Sequence, residues 1–303
     1  MFPNSPTHAG ADTCLQSNRR SLLRNAGLGA ALAGAATLGL TRGAEAQSST
    51  LTDADILNFA LNLEYLEAEY YLMATYGRGL TNAQSTGVGG APGYVNGGAK
   101  VSFTNKTIED FAFEIANDEY NHVLFLRSAL GDSAVARPAI DLNASFTTLA
   151  RAAGLIGPNA TFNPFANELD FLIGAFIFED VGVTAYLGAA ASIMDKSYLT
   201  AAGGILAVEA YHASSIRLQL FQQGLKGPAN KISALRAQLS AAVVAGQGDD
   251  AGITDGGKLT IVPADSNSIA YARTPAQVLN IVYGGGSSSG YLFFPDKMNG
   301  AIS

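Results

Sequence analysis

One cysteine, no tryptophan, three histidines and only 14% charged residues in 303 exclude several chemistries at the outset. A single thiol makes neither an internal disulfide nor a thiolate zinc site. Cys14 also falls in a segment read below as a removable leader, which leaves no cysteine nucleophile. Basic residues number 18 against 25 acidic, for a formal net charge of −7, and they form no run. Neither nucleic acid nor an anionic membrane surface is therefore an expected partner. No Gly-rich phosphate loop follows a strand pattern, and beyond the leader no apolar stretch is expected to span a bilayer. With 48% hydrophobic residues the chain is too apolar for disorder and long enough for one large domain or two small ones.

The first 46 residues carry an address. Asn18-Arg19-Arg20-Ser21-Leu22-Leu23-Arg24 is a twin-arginine pair followed by leucines, Ala26 to Leu40 is a short apolar run, and Ala44-Glu45-Ala46 is a small-x-small end. This order predicts a twin-arginine export signal cut after Ala46, engaging the export machinery and delivering the protein to the periplasm or outside. The apolar run is shorter than the ~20 residues a spanning helix needs, so no stable membrane anchor is expected. Such export carries folded proteins, often with a cofactor already inserted, which directs attention to metal ligands.

Four long helical patterns follow, roughly Thr52 to Tyr76, Lys106 to Leu130, Pro164 to Met194 and Tyr198 to Gln223. Gly77, Gly131 and Gly224 stand at stops where a left-handed residue is needed. A weaker fifth helix covers about Asn230 to Ala245. Arg78 to Asn105 reads as a long surface connection. Gly246 to Ser303 reads as an irregular extension with one short helix capped by Thr274, and with an aromatic end, Tyr291 to Pro295, that should pack on the body. The expected fold is all-α: a four-helix bundle over 47–228 with a long connection between helices two and three, then a fifth helix and extension over 229–303.

Charged residues stand where the bundle core should be. Residues three, four and seven apart share a helix face. Ala112, Ile115, Glu119, His122 and Leu126 form one stripe, and Ala202, Ile205, Glu209, His212 and Ile216 form its counterpart. Glu179 lies between Ala175 and Val183 on the third helix, and Glu64 and Glu67 both lie on the apolar face of the first. The second and fourth helices match over Glu119-x-x-His122-x4-Arg127 and Glu209-x-x-His212-x4-Arg217. Glu64 precedes Tyr71, and Glu179 precedes Tyr186, by the same seven residues. Beyond the leader the chain has two histidines, and both sit in the Glu-x-x-His motif. Burying unpaired carboxylates costs several kcal/mol each, and no lysine or arginine shares these stripes. Arg127 and Arg217 lie more than about 10 Å further along the axis at about 1.5 Å per residue. Two divalent ions would balance four carboxylates, and carboxylate oxygen with imidazole nitrogen suits Fe or Mn. Tyr65, Tyr71, Tyr186 and Tyr211 are read chiefly as core tyrosines, with bonding to the carboxylates as the alternative. Glu114 and Asp118 fall off the buried stripe and are expected in solvent. Asp180 is read equally as a surface or helix-end residue and as one that orients a histidine.

As a set these motifs, over about 170 residues from Leu51 to Gln223, resemble the ferritin-like superfamily. More narrowly, Asn62-Leu63-Glu64-Tyr65-Leu66-Glu67-Ala68-Glu69, Phe178-Glu179-Asp180-Val181-Gly182 and Arg273-Thr274-Pro275-Ala276-Gln277-Val278-Leu279 resemble the desiccation-related ferritin-like proteins of bacteria and plants. The resemblance implies a ferritin-like four-helix bundle holding two Fe or two Mn ions through Glu64, Glu119, His122, Glu179, Glu209 and His212, with Glu67 as the alternative on the first helix. It also implies oxidase or peroxide-removing chemistry on O2 or H2O2. A stress-protection or surface-interaction bundle with a structural metal is the alternative. The cysteine-rich electron-transfer module of rubrerythrins is missing, and the long connection and tail would hinder the shell assembly of storage ferritins. Oligomeric state is left open.

Overall fold

A computed structural model describes residues 51–286 and 291–303; the expected leader, 1–46, with Cys14, lies outside the described residues. Four long helices run over Asp53–Tyr76 (α1), Lys106–Leu130 (α3), Glu168–Ala190 (α5) and Lys196–Gln222 (α6). Short helices lie at Asn82–Ser85 (α2), Ala144–Ala152 (α4) and Pro275–Val282 (α8), and α7 spans Lys226–Val243. Helix starts follow side-chain capping. Thr52 and Asp55 form a capping box, while Asn105, Asn167 and Asp195 accept from the first free amides of α3, α5 and α6. The cap at Asn167 explains why α5 begins after the expected Pro164, and the cap at Asp195 why α6 begins before Tyr198.

Side-chain contacts fix the helix directions. Tyr76 meets Phe113 and Asn117 while Tyr65 meets Arg127, so α1 and α3 are antiparallel. Tyr71 bonds Glu179 while Tyr186 bonds Glu64, so α1 and α5 are antiparallel too. Helices α3 and α5 therefore run the same way, and the segment joining them must travel the length of the bundle. It carries α4 and a strand, Ile140–Leu142 (β2), which pairs in parallel with Val95–Gly97 (β1) from the earlier connection. Neither α4 nor this pairing was expected from the sequence, where Arg78 to Asn105 read as a surface connection.

Helices α3 and α6 bury one stripe each, as their spacing requires. In α1 and α5 every side from Ile56 to Leu72 and from Phe171 to Tyr186 is buried. By length and hydropathy α5 could cross a membrane, which corrects the expectation that no segment beyond the leader could. Here it is the core helix, with 89% of its most apolar window buried. What covers its outer side is the extension. Phe293 packs against Phe178 and Phe146 with ring centres 4.9 and 5.2 Å apart. The Arg273 carbonyl lies so close to Gly188 that a Cβ there would sit 1.9 Å from it. The end of the chain also reaches α1, where Asn62 donates to the Asn299 carbonyl and accepts from its amide. The extension is thus part of the wall behind Glu64 and Glu179.

Candidate metal centre

All six sequence-selected residues meet in the middle of the bundle, and all six are buried. Glu64, Glu119, His122 and Glu209 each offer an atom within 4.8 Å of the others, and so do Glu119, Glu179, Glu209 and His212. Glu119 and Glu209 belong to both groups. His122 points Nδ1 at Glu64, Glu119 and Glu209, at 3.2, 3.5 and 3.6 Å. His212 points Nδ1 at Glu119 and Glu179, at 3.0 and 3.6 Å. The ring centres stand 6.4 Å apart. Equal spacing on two antiparallel helices produces this near-symmetry.

The donor set has the character of a cation site. Both oxygens of Glu119, both of Glu209, Oε2 of Glu179 and Nδ1 of His212 are buried and accept or donate no aligned hydrogen bond. Orphaned buried oxygens that converge cost more than any local packing returns. Carboxylate oxygens and imidazole nitrogens, two of the carboxylates shared, match what a pair of Fe or Mn ions takes. The residues therefore fit such a pair, and the cluster could hold two metal ions.

In their absence only protons can reconcile these groups. Burial pushes the Glu64 carboxyl up against the pull of His122, to about 7. Burial and then the charge of Glu119 push both Glu67 and Glu209 well above the usual carboxylate range, and burial raises Glu179. Burial opposes charge on His122, yet Glu64 and Glu119 prevail and raise it to about 11. His212 is likewise driven up by Glu179 and Asp118 against its burial. Glu119, held between both imidazoles, falls well below its ordinary value despite being buried.

Neighbours orient the cluster. Tyr71 donates to Glu179 and Tyr186 to Glu64, so these two bond the carboxylates. Tyr65 donates to the Val135 carbonyl and accepts from Arg127, and Tyr211 is 74% exposed and not in the core. Glu67 is buried next to the cluster but lies in neither four-residue group. A Cβ on Gly182 would stand 2.5 Å from Oε2 of Glu209 and 3.4 Å from Oε1 of Glu67, so the missing side chain makes room for both carboxyls.

Three features escaped the sequence. Asp118 is not left to solvent: its Oδ2 lies 3.0 Å from Nε2 of His212. Asp180 is neither at the surface nor beside a histidine. It is buried and accepts from Arg217 and Arg236 at 2.7 and 2.6 Å. Glu69 is buried and paired with Arg137, with its Oε1 also accepting from Leu80 N. Glu69 follows Glu67 by two and sits on another side of α1; only the loop chemistry of Arg137 marks it.

The Ferritin-like domain family matches residues 52–222. The chain is similar to the desiccation-related protein PCC13-62 of Craterostigma plantagineum, at 30% identity over 252 residues, 75% of this chain and 76% of that one. It is similar to the ferritin-like catalase Nec2 of Nesocodon mauritianus, at 30% identity over 273 residues, 83% of this chain and 85% of that one. With its four long helices, its paired Glu-x-x-His motifs and a match across more than half its length, this chain belongs to the ferritin-like family.

Proposed function

We propose that this is an exported di-metal carboxylate protein that removes hydrogen peroxide, using two Fe or two Mn ions. The observation that carries the reading is the pair of four-residue groups that share Glu119 and Glu209. Glu64 and His122 would hold one ion, Glu179 and His212 the other, and the two shared glutamates would join them. When bound, such a pair supplies the two-electron redox change needed to turn two H2O2 into O2 and two H2O.

The chain's own residues do the rest. Tyr186 and Tyr71 hold the Glu64 and Glu179 carboxylates in fixed orientations by hydrogen bonds. Glu67, whose carboxyl burial favours in its protonated form, stands near Glu209 and would hand a proton to the water that is formed. The apolar walls from α1 and α5 keep bulk water away. Similarity to a protein named a ferritin-like catalase supports peroxide over O2 as the substrate. Export rests on the twin-arginine leader, and cleavage would leave Gln47 first.

The test is O2 evolution from H2O2 by protein purified with its native metal. Glu119→Ala should abolish both the activity and the metal. Similarity to a desiccation-related protein supports a second reading, a protective bundle with a structural metal. Neither O2 evolution nor Fe(II)-dependent O2 uptake in a fully loaded sample would favour it.

A further inference from the structure

The two Glu-x-x-His helices repeat each other in the residues that face the cluster, but not in what stands behind the histidines. His212 turns Nδ1 inward, and Asp118 Oδ2 meets its outer Nε2 at 3.0 Å. His122 also turns Nδ1 inward, but among the described residues no acceptor meets its Nε2. The repeat explains the difference. Asp118 precedes Glu119 directly, and the residue preceding Glu209 is Val208, which offers no acceptor. The carboxylates are matched, since Tyr186 bonds Glu64 as Tyr71 bonds Glu179. The asymmetry lies at the histidines.

We propose that the two metal positions are inequivalent, and that Asp118 is a positioning residue that makes the Glu179–His212 position the tighter one, filled first. This rests on the di-metal reading above. A ligating imidazole needs its lone pair on the inner nitrogen, which requires the hydrogen on the outer one. Asp118 accepts that hydrogen, and so fixes the rotation of the His212 ring before an ion arrives and keeps the hydrogen on the outer nitrogen when the ion takes the inner one. His122 is aimed by the inner carboxylates alone, with no acceptor among the described residues to hold its outer hydrogen. Loss of such an outer partner costs about 10- to 100-fold in metal affinity. The Asp118 side chain is 37% exposed, and water screens the bond, so the difference belongs at the lower end, about 10-fold.

The test is calorimetric titration of metal-stripped protein with Mn2+, together with anomalous diffraction from crystals given a substoichiometric amount of Mn2+. Two binding steps about 10-fold apart are expected, with the first ion beside His212. Asp118→Asn, close in shape, should weaken that step alone and bring the two together; a merely structural role would weaken both. First occupancy beside His122, or an unchanged first step in Asp118→Asn, overturns the proposal. Failure of either position to take metal would defeat the di-metal reading itself, and this inference with it.

Discussion

Replacing Asp180 by alanine removes one carboxylate from a closed charge cluster one residue away from Glu179. Asp180 accepts from Arg217 at 2.7 Å and Arg236 at 2.6 Å, and all three side chains are almost fully buried. Arg236 keeps a second carboxylate, Asp250 at 2.9 Å. Arg217 does not: its remaining partners are the carbonyls of Thr260, Ala251 and Gly252. Asp180→Ala therefore leaves a buried guanidinium without countercharge, a change that costs about 3–5 kcal/mol. For a domain of this size that is a fall in Tm of roughly 6–20 °C. Thermal unfolding by circular dichroism reads the loss. The double variant Asp180→Ala/Arg217→Ala should fall by less than the sum of the single variants, because the stranded charge is gone. Metal content should hold in the folded variant, since Asp180 bonds Arg217 and Arg236 and belongs to neither metal-binding group. A fall under about 2 °C, or strict additivity, would refute the claim that Asp180 supplies the countercharge for the buried Arg217.

Four further outcomes follow from the same contacts. In metal-free protein Glu64 is raised from 4.5 to about 7 and His122 from 6.5 to about 11. Both are raised, so their contribution is full at low pH and lost as pH climbs through those values. Metal displaces the same protons, so the Tm gap between loaded and stripped protein should widen from pH 5 to pH 8; a constant gap in parallel melts would contradict this. Gly182→Ala puts a methyl 2.5 Å from Glu209 Oε2 and should weaken metal binding by about 10-fold or more in chelator competition. Phe293→Ala removes a buried ring set between Phe178 and Phe146 and should cost about 3–5 kcal/mol by denaturant unfolding. Tyr186→Phe frees the Glu64 carboxylate and should lower peroxide turnover while both ions remain bound, which paired kinetics and elemental analysis would check.

The bundle and its centre were legible because α3 and α6 each have one wet side. On such helices a polar residue in the apolar stripe stands out, and Glu119, His122, Glu209 and His212 did so. Where α1 and α5 are covered on all sides, the stripe loses its meaning. Glu69 and Asp180 lie off the face chosen by periodicity and are still buried, because Arg137 and Leu80 cover the first and Arg217 and Arg236 the second. The repeat itself misled in one place. Arg127 and Arg217 occupy matching positions, yet Arg127 bonds Tyr65 and the Thr86 carbonyl near the surface, whereas Arg217 is sealed against Asp180. Partners that come from residues 250 onward have no local signature. Asp118 escaped for the opposite reason: it is exposed enough to read as solvated, and only the approach of α6 gives it a role.

The central claim is that Glu64, Glu119, Glu179, Glu209, His122 and His212 gather in an apolar interior because two cations hold them there. Elemental analysis of protein purified from its native host measures this directly. The account predicts two Fe or two Mn per chain, lost together in Glu119→Ala and reduced in His212→Ala. One ion or fewer in the native protein, or an unchanged content in both variants, would contradict it.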